Sequence, residues 1–322
     1  MQPPHIGPNA PFFIVLNASS GSESTAEARQ VIEEGLAAAD RKHRIFLVDG
    51  PGRLQALARE AVERARAVGG VVVAAGGDGT INAVAQATLG SGCAFGVLPQ
   101  GTFNYFSRTH GIPRDTAEAL KILLAEQPRA VQVGLVNDRV FLVNASMGLY
   151  AELLEERETY KARYGRSRWI AFFAGLLTVM RGRHRHWNLR MAWRGQEKDI
   201  RTPTLFVGNN PLQLLQVGIE HADAPEQGQL AAIALKPVGV LAMPELLVRG
   251  AMGRLGRADQ VLSFPFESMT VKAGRLRAPR RVKVATDGEI AWADMPLLFR
   301  VSPEPLWLVR PDVAPELEAA KQ

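Results

Sequence analysis

Val71-Val72-Val73-Ala74-Ala75 runs without a polar break into Gly76-Gly77-Asp78-Gly79-Thr80, and Ile81, Val84, Ala85, Thr88 and Leu89 then recur at helical spacing. A continuous β-branched run suits a strand buried on both faces of a parallel sheet, and the spacing behind it suits the inner face of a helix. Between them, glycines at 76, 77 and 79 let the main chain turn tightly and bring its N–H groups against a phosphate, where the start of the helix adds positive potential. Asp78 would repel a bare phosphate, which leaves it two uses, positioning Mg2+ or ordering the loop. The same five residues also suit a plain glycine turn at a sheet edge.

Reading outward, the alternation repeats. Pro11–Leu16 is a short apolar run, Asn17–Ser24 is small and polar, and Ala26–Leu36 is helical in composition. Arg44–Val48 is another apolar run, and Leu54, Leu57, Ala58, Ala61, Val62 and Ala65 mark the helix after it. Downstream, Cys93–Leu98 enters a second polar turn, Pro99-Gln100-Gly101-Thr102-Phe103-Asn104. Ligands of open α/β sheets bind outside the carboxyl ends of the strands, so Asn17–Gly21, Gly76–Thr80 and Pro99–Asn104 are expected to converge there on a phosphate donor. Asp115 and Glu118 form a capping box for a helix over Thr116–Ala125. Residues 1–130 thus read as a nucleotide-binding α/β domain with a mostly parallel sheet.

After Arg129 the pattern changes to strands. Val131–Val136 and Val140–Val143 flank the turn pair Asn137-Asp138 as an antiparallel hairpin would. Further runs lie at Trp187–Trp193, Pro203–Gly208, Gln229–Leu235, Ser268–Ala273, Arg281–Thr286, Leu297–Val301 and Leu306–Val309. With helical stretches near Tyr160–Met180 and Val240–Met252, residues 131–300 read as a β-rich, sandwich-like second domain, on the substrate side of the chain. A C-terminal segment over 301–322 has the option of returning to the first domain.

The chain has 322 residues, 47% apolar and 22% charged, so neither a disordered nor a fibrous class fits. A single cysteine, Cys93, allows no internal disulfide and no multi-cysteine zinc site, and a reducing cytoplasm is the expected compartment. Met1–Ala10 lacks the features of a secretory signal, so no export is expected. The most apolar stretch, Trp169–Met180, is too short to span a bilayer. The net charge of +6 favours anionic partners. There is no GxxxxGK[ST] run, no HRD or DFG set, no GxGxxG after the first strand and no HExxH, which excludes P-loop enzymes and protein kinases and disfavours Rossmann dehydrogenases and zinc hydrolases.

GGDGT at Gly76–Thr80 followed by Asn82, the GTFN turn at Gly101–Asn104, the early Asn17-Ala18-Ser19-Ser20-Gly21 and the late Asp287-Gly288-Glu289 together resemble the diacylglycerol kinase catalytic family, which includes soluble bacterial diacylglycerol kinases, YegS-like lipid kinases and sphingosine and ceramide kinases. GGDGT alone is shared with NAD kinases and phosphofructokinases; the combination is specific. The resemblance implies a two-domain lipid kinase with ATP and Mg2+ in an interdomain cleft. It places Asn17, Ser19, Gly76, Gly77, Asp78, Gly79, Thr80, Asn82, Gly101, Thr102 and Asn104 about the nucleotide, Asp78 on the metal, and Asp287 or Glu289 as acceptor of the lipid hydroxyl's proton. Phosphoryl transfer to an alcohol independently requires an in-line hydroxyl, a proton acceptor and cations on the triphosphate. On the residues alone Asp287-Gly288 reads first as a hairpin turn.

The chain departs from that pattern at Ala18 (usually Pro), Ala83 (usually acidic) and Tyr105 (usually Asp). Gln227-Gly228-Gln229-Leu230 replaces a DGxL loop whose Asp surrounds a structural Mg2+ in related bacterial kinases, so that second metal site is not expected here. Arginines and a lysine flank Trp169–Met180, which suits a helix lying in a membrane surface and equally a core helix with solvated ends. The basic clusters Arg249–Arg257 and Arg275–Lys283 read first as solvated faces. The expected partner is a lipid presented at a membrane, on the inner face; no nucleic acid is expected, and a homodimer is left open. The competing readings are an NAD-kinase-like enzyme and a non-catalytic nucleotide or lipid sensor.

Overall fold

Every residue of Val71–Gly76 is buried, as a strand covered by helices on both faces must be. In the computed structural model this is β3 of a six-stranded sheet. The model describes residues 2–17, 25–50, 52–148, 151, 186–237, 259–274, 280–312, 317 and 319–320. Ala18, Ser19, the helical stretches at 160–180 and 240–252 and the cluster at 249–257 lie outside the described residues.

The chain divides into two units, Met1–Val133 with Ser302–Gln322, and Gly134–Val301. The first unit runs β1 (Phe12–Asn17), α1 (Thr25–Ala38), β2 (His43–Val48), α2 (Leu54–Val68), β3 (Val71–Gly76), α3 (Asp78–Thr88), β4 (Ala94–Pro99), α4 (Tyr105–Thr109), α5 (Thr116–Ala125) and β5 (Pro128–Val131). The second unit runs β6 (Gly134–Val136), β7 (Arg139–Phe141), β8 (Asn144–Gly148), β9 (Trp187–Trp193), β10 (Gln196–Thr202), β11 (Thr204–Gly208), α6 (Pro211–Val217), β12 (Leu230–Leu235), β13 (Val261–Phe266), β14 (Ser268–Ala273), β15 (Arg281–Thr286), β16 (Glu289–Asp294) and β17 (Leu297–Val301). The chain then returns to the first unit as β18 (Leu306–Val309).

In the first unit the strand order is β2-β1-β3-β4-β18-β5, parallel from β2 through β18, with β5 antiparallel at the edge. The order reverses between β1 and β3, the switch point where helices leave opposite faces and open a crevice. Helix α5 starts as its sequence requires, with the Asp115 carboxylate accepting the Glu118 N–H at 2.9 Å.

The second unit holds two antiparallel six-stranded sheets, β10-β9-β14-β17-β6-β7 and β13-β12-β11-β8-β15-β16. Their inner faces share one core, in which Phe141, Met191, Met269 and Phe299 of the first sheet pack with Met147, Val207, Phe266 and Val284 of the second. Strand β12 shows the period of two that specifies such a layer: Leu230, Ala232 and Ala234 enter that core, while Ala231 and Ile233 pack outward with Leu214 of α6. The fold is therefore the expected α/β unit plus β-sandwich.

One expected hairpin needs correction. Val131–Val136 is not a single strand: Pro128–Val131 pairs with β18 in the first unit, and only Gly134–Val136 joins β7 through the Asn137-Asp138 turn. The break falls where the outgoing and returning chain meet, the Ser302 N–H donating to the Val133 carbonyl at 2.8 Å.

His110 caps α4 and meets the Phe106 ring edge-on at 4.8 Å between centroids. Burial, with the nearby Arg310 charge, lowers its pKa from 6.5 to about 3. The folded ring thus stays neutral where the unfolded one takes a proton, so stability is lost as pH falls from about 6.5 toward 3 and is unaffected above that window. His110→Gln is expected to flatten the acid limb of a melting-temperature profile; a limb as steep as the parent's would assign that acid sensitivity to other groups.

Candidate functional site

The carboxyl ends of β1, β3 and β4 finish flush. Leu16 pairs with Ala75 and Ala75 with Leu98, so Asn17, Gly76 and Pro99 emerge side by side at the switch point. Asn17 donates its side-chain amide to the Thr80 hydroxyl at 2.8 Å, tying the end of β1 to the first turn of α3. Thr80 in turn lies over Gly76, where a Cβ would come within 2.7 Å of the threonine Cβ and Oγ1, so only glycine fits. Gly77 caps α3 in extended conformation, and Asp78 is the first helical residue.

The second loop locks onto the first. The Gly76 carbonyl accepts the Gln100 N–H at 2.8 Å, and a Cβ on Gly101 would stand 3.0 Å from Gly77 Cα and 2.6 Å from Asn104 Oδ1. Asn104, 2% exposed, sits in the left-handed region at φ 49°, which asparagine tolerates, and donates its side-chain amide to the Gly101 carbonyl at 3.0 Å. Its main-chain N–H donates to Asp78 Oδ2 at 3.2 Å. Asp78 thus orders the neighbouring loop, the second of the two uses its sequence allowed, while its charge also suits the positive end of α3. Thr102 and Phe103 are exposed at the tip of the turn, and Gly79 and Asn82 are half-buried on the first turns of α3. The first turn of a helix carries N–H groups without intrahelical acceptors, and at the start of α3 the Asp78 carboxylate already lies beside them.

A magnesium ion commonly takes one or two protein carboxylates and leaves its other positions to phosphates and water. Among the described residues no three His, Cys, Asp or Glu side chains cluster as a preformed metal cage. A single carboxylate such as that of Asp78 is within the number a magnesium ion takes from protein. At the loop that replaces DGxL, the Gln227 side-chain amide donates to Asp223 Oδ2 at 2.6 Å.

In the second unit Asp287 and Gly288 form the two-residue turn between β15 and β16, with φ of 49° and 92°. The Asp287 carboxylate does more than turn the chain. Oδ2 accepts the Leu142 N–H at 2.7 Å, and Oδ1 accepts those of Val143 and Asn144, each at 2.9 Å. It clasps the β7–β8 link through three accepted bonds, of about four that a carboxylate can take. Glu289, the first residue of β16, is exposed.

The clasp belongs to a buried polar network that the sequence reading missed. Asn209 donates to the Leu142 carbonyl at 3.1 Å, Asn144 donates to Gln213 Oε1 at 3.0 Å, and Asn210 caps α6 through the Gln213 N–H at 2.9 Å. Asn210-Pro211, a cap residue followed by proline, was a legible helix start. The Asp287 clasp had no such signal, because its donors are main-chain groups.

An α/β unit with this strand order followed by a β-sandwich unit is a fold shared with solved structures. A crystal structure from Bacillus anthracis str. Sterne, provisionally named a diacylglycerol kinase, superposes with a TM-score of 0.70 over 94% of this chain and 97% of its own, at 20% identity. Residues 11–136 match the model of the diacylglycerol kinase catalytic domain. A probable YegS-like lipid kinase of Klebsiella pneumoniae is 41% identical over 98 residues, 29% of this chain and 33% of the relative. The probable lipid kinase YegS of Salmonella typhimurium is 32% identical over 183 residues, 49% of this chain and 60% of the relative. The matched stretches thus span between a third and three fifths of these relatives.

Proposed function

We propose that the protein is an ATP-dependent lipid kinase that moves the γ-phosphoryl group to a hydroxyl of diacylglycerol or a related lipid. The observation that carries the reading is the Asp78–Asn104 link, which fuses the two glycine loops of the family's catalytic domain into one anion-receiving corner at the helix start. The reading assigns the triphosphate to that corner, held by main-chain N–H groups and the exposed Thr102 hydroxyl, and gives Asp78 to the accompanying Mg2+, which would offset phosphate charge. It assigns the proton of the attacking hydroxyl to Glu289, whose exposed carboxylate has room for a substrate, and makes Asp287 the residue that shapes the turn before it. No helix among the described residues is long and apolar enough to cross a membrane, so on this reading the lipid is met at a membrane surface.

Transfer of label from γ-labelled ATP, with and without Mg2+, across a panel of diacylglycerol, sphingosine, ceramide and phosphatidylglycerol tests the proposal, with NAD in a parallel tube. Label in a lipid is the expected result; label in NAD alone, or ATP binding with no transfer, would overturn it. Asp78→Ala is expected to keep a folded sheet, since the change lies outside the β3 core, and to weaken ATP binding while lowering turnover by orders of magnitude. Parent-level ATP affinity and rate in that variant would remove Asp78 from the nucleotide corner.

A further inference from the structure

Strand β16 closes one edge of its sheet, and Trp292 on it is 56% exposed. Lys283 stands directly across the ladder, its Nζ 5.6 Å from the indole centroid. Arg281 and Asp294 form the next pair on the same face, 3.4 Å apart and both mostly exposed. The other face of β15 is committed inward, with Val282 and Val284 in the sandwich core. Alternation therefore leaves one side of this hairpin presenting an indole between Lys283 and the Arg281–Asp294 pair, a face with two cations and one anion.

An exposed indole beside basic side chains has the chemistry of a membrane-interface anchor. We propose that the β15–β16 hairpin is a membrane-contact edge, with Trp292 seated at headgroup level and Lys283 and Arg281 against the anionic phosphates of a bilayer. The inference rests on the lipid-kinase reading above and gives it a docking surface. Indole rings prefer the interface because one end is apolar and the other donates a hydrogen bond, and each basic residue near an anionic leaflet adds about 1 kcal/mol. The position matters as well as the chemistry: Glu289 lies three residues along the same strand, about 10 Å away. It falls on the opposite face, so the anions drawn to Lys283 do not crowd the proton acceptor.

Sedimentation of the full chain with vesicles of phosphatidylcholine alone or with three-tenths phosphatidylglycerol tests this without ATP or diacylglycerol. The parent is expected to bind the anionic vesicles, Lys283→Gln to bind them about fivefold more weakly, and Trp292→Ser to lose that binding. Quenching of tryptophan emission by brominated lipid should fall in Trp292→Phe. Transfer to detergent-dispersed lipid should be unchanged in all three variants, and matching thermal melts would show that they fold. Parent-level vesicle binding by Trp292→Ser overturns the proposal, as does a parent that binds neither vesicle. So does a concentration-dependent dimer that Trp292→Ser abolishes, which would give the edge to a second copy of the chain. Because transfer is scored in detergent, failure of the hairpin and failure of the kinase reading are read separately.

Discussion

Glu289→Gln is expected to lower turnover roughly 10²- to 10⁴-fold, the range lost with a general base, while the melting temperature and ATP affinity stay at parent values. The amide keeps the size of the side chain and removes its capacity to take a proton. The fold should not register the change, because Glu289 is exposed at the first position of an edge strand. ATP affinity should not register it either, because the triphosphate is assigned to main-chain donors of the first unit. Glu289→Asp, which keeps the carboxylate but shortens its reach, is expected to fall between the two. The measurement is single-turnover label transfer from bound ATP to dispersed lipid, so that binding and chemistry are separated. A Glu289→Gln enzyme that transfers at the parent rate would strike the residue from the reaction.

The parts of the fold legible in the sequence are those where burial writes a period into it. Val71–Ala75 reads as a central parallel strand because both of its faces are covered, and β12 keeps an unbroken apolar run because both sides of its sheet are packed. Strand β10 was not legible: Gln196–Thr202 is almost wholly polar, and only its seven-residue ladder to Trp187–Trp193, folded back through Arg194-Gly195, makes it a strand. Strand β8 is the opposite case, fully buried but built from Asn144-Ala145-Ser146-Met147-Gly148, whose small residues give no apolar signal. At the candidate site, glycine spacing put the two loops on adjacent strand ends, and Asp78 allowed either a metal or a loop-ordering role. What spacing could not supply was the Asn104 main-chain N–H as the group that meets Asp78. Asp287 shows the same limit. Its turn was readable from Asp-Gly, but its three acceptor bonds run to residues about 145 positions earlier in the chain.

That clasp separates the two carboxylates of the Asp287-Gly288-Glu289 corner by experiment. Asp287→Ala strands the N–H groups of Leu142, Val143 and Asn144, residues that are only 2%, 4% and 5% exposed, so water replaces the lost acceptor poorly. At about 1–3 kcal/mol for each buried unsatisfied donor, the expected loss is at least ~3 kcal/mol, a large share of a typical total of about 5–15. The alanine must also hold φ near 49°, which costs roughly 1–2 kcal/mol more. For a unit of this size about 2–4 °C of melting temperature accompanies each kcal/mol, so the transition of the β-sandwich unit should fall by roughly 8–20 °C. Asp287→Asn should lose less: asparagine tolerates the left-handed turn and keeps one oxygen for Val143 and Asn144, but it sets an N–H against that of Leu142. The expected order of stability is therefore parent, Asp287→Asn, Asp287→Ala, with Glu289→Gln beside the parent, read from calorimetric transitions at one pH. Should Asp287→Asn melt with the parent and yet transfer no phosphate while Glu289→Gln remains active, Asp287 would be the proton acceptor and its three main-chain bonds would be incidental to stability.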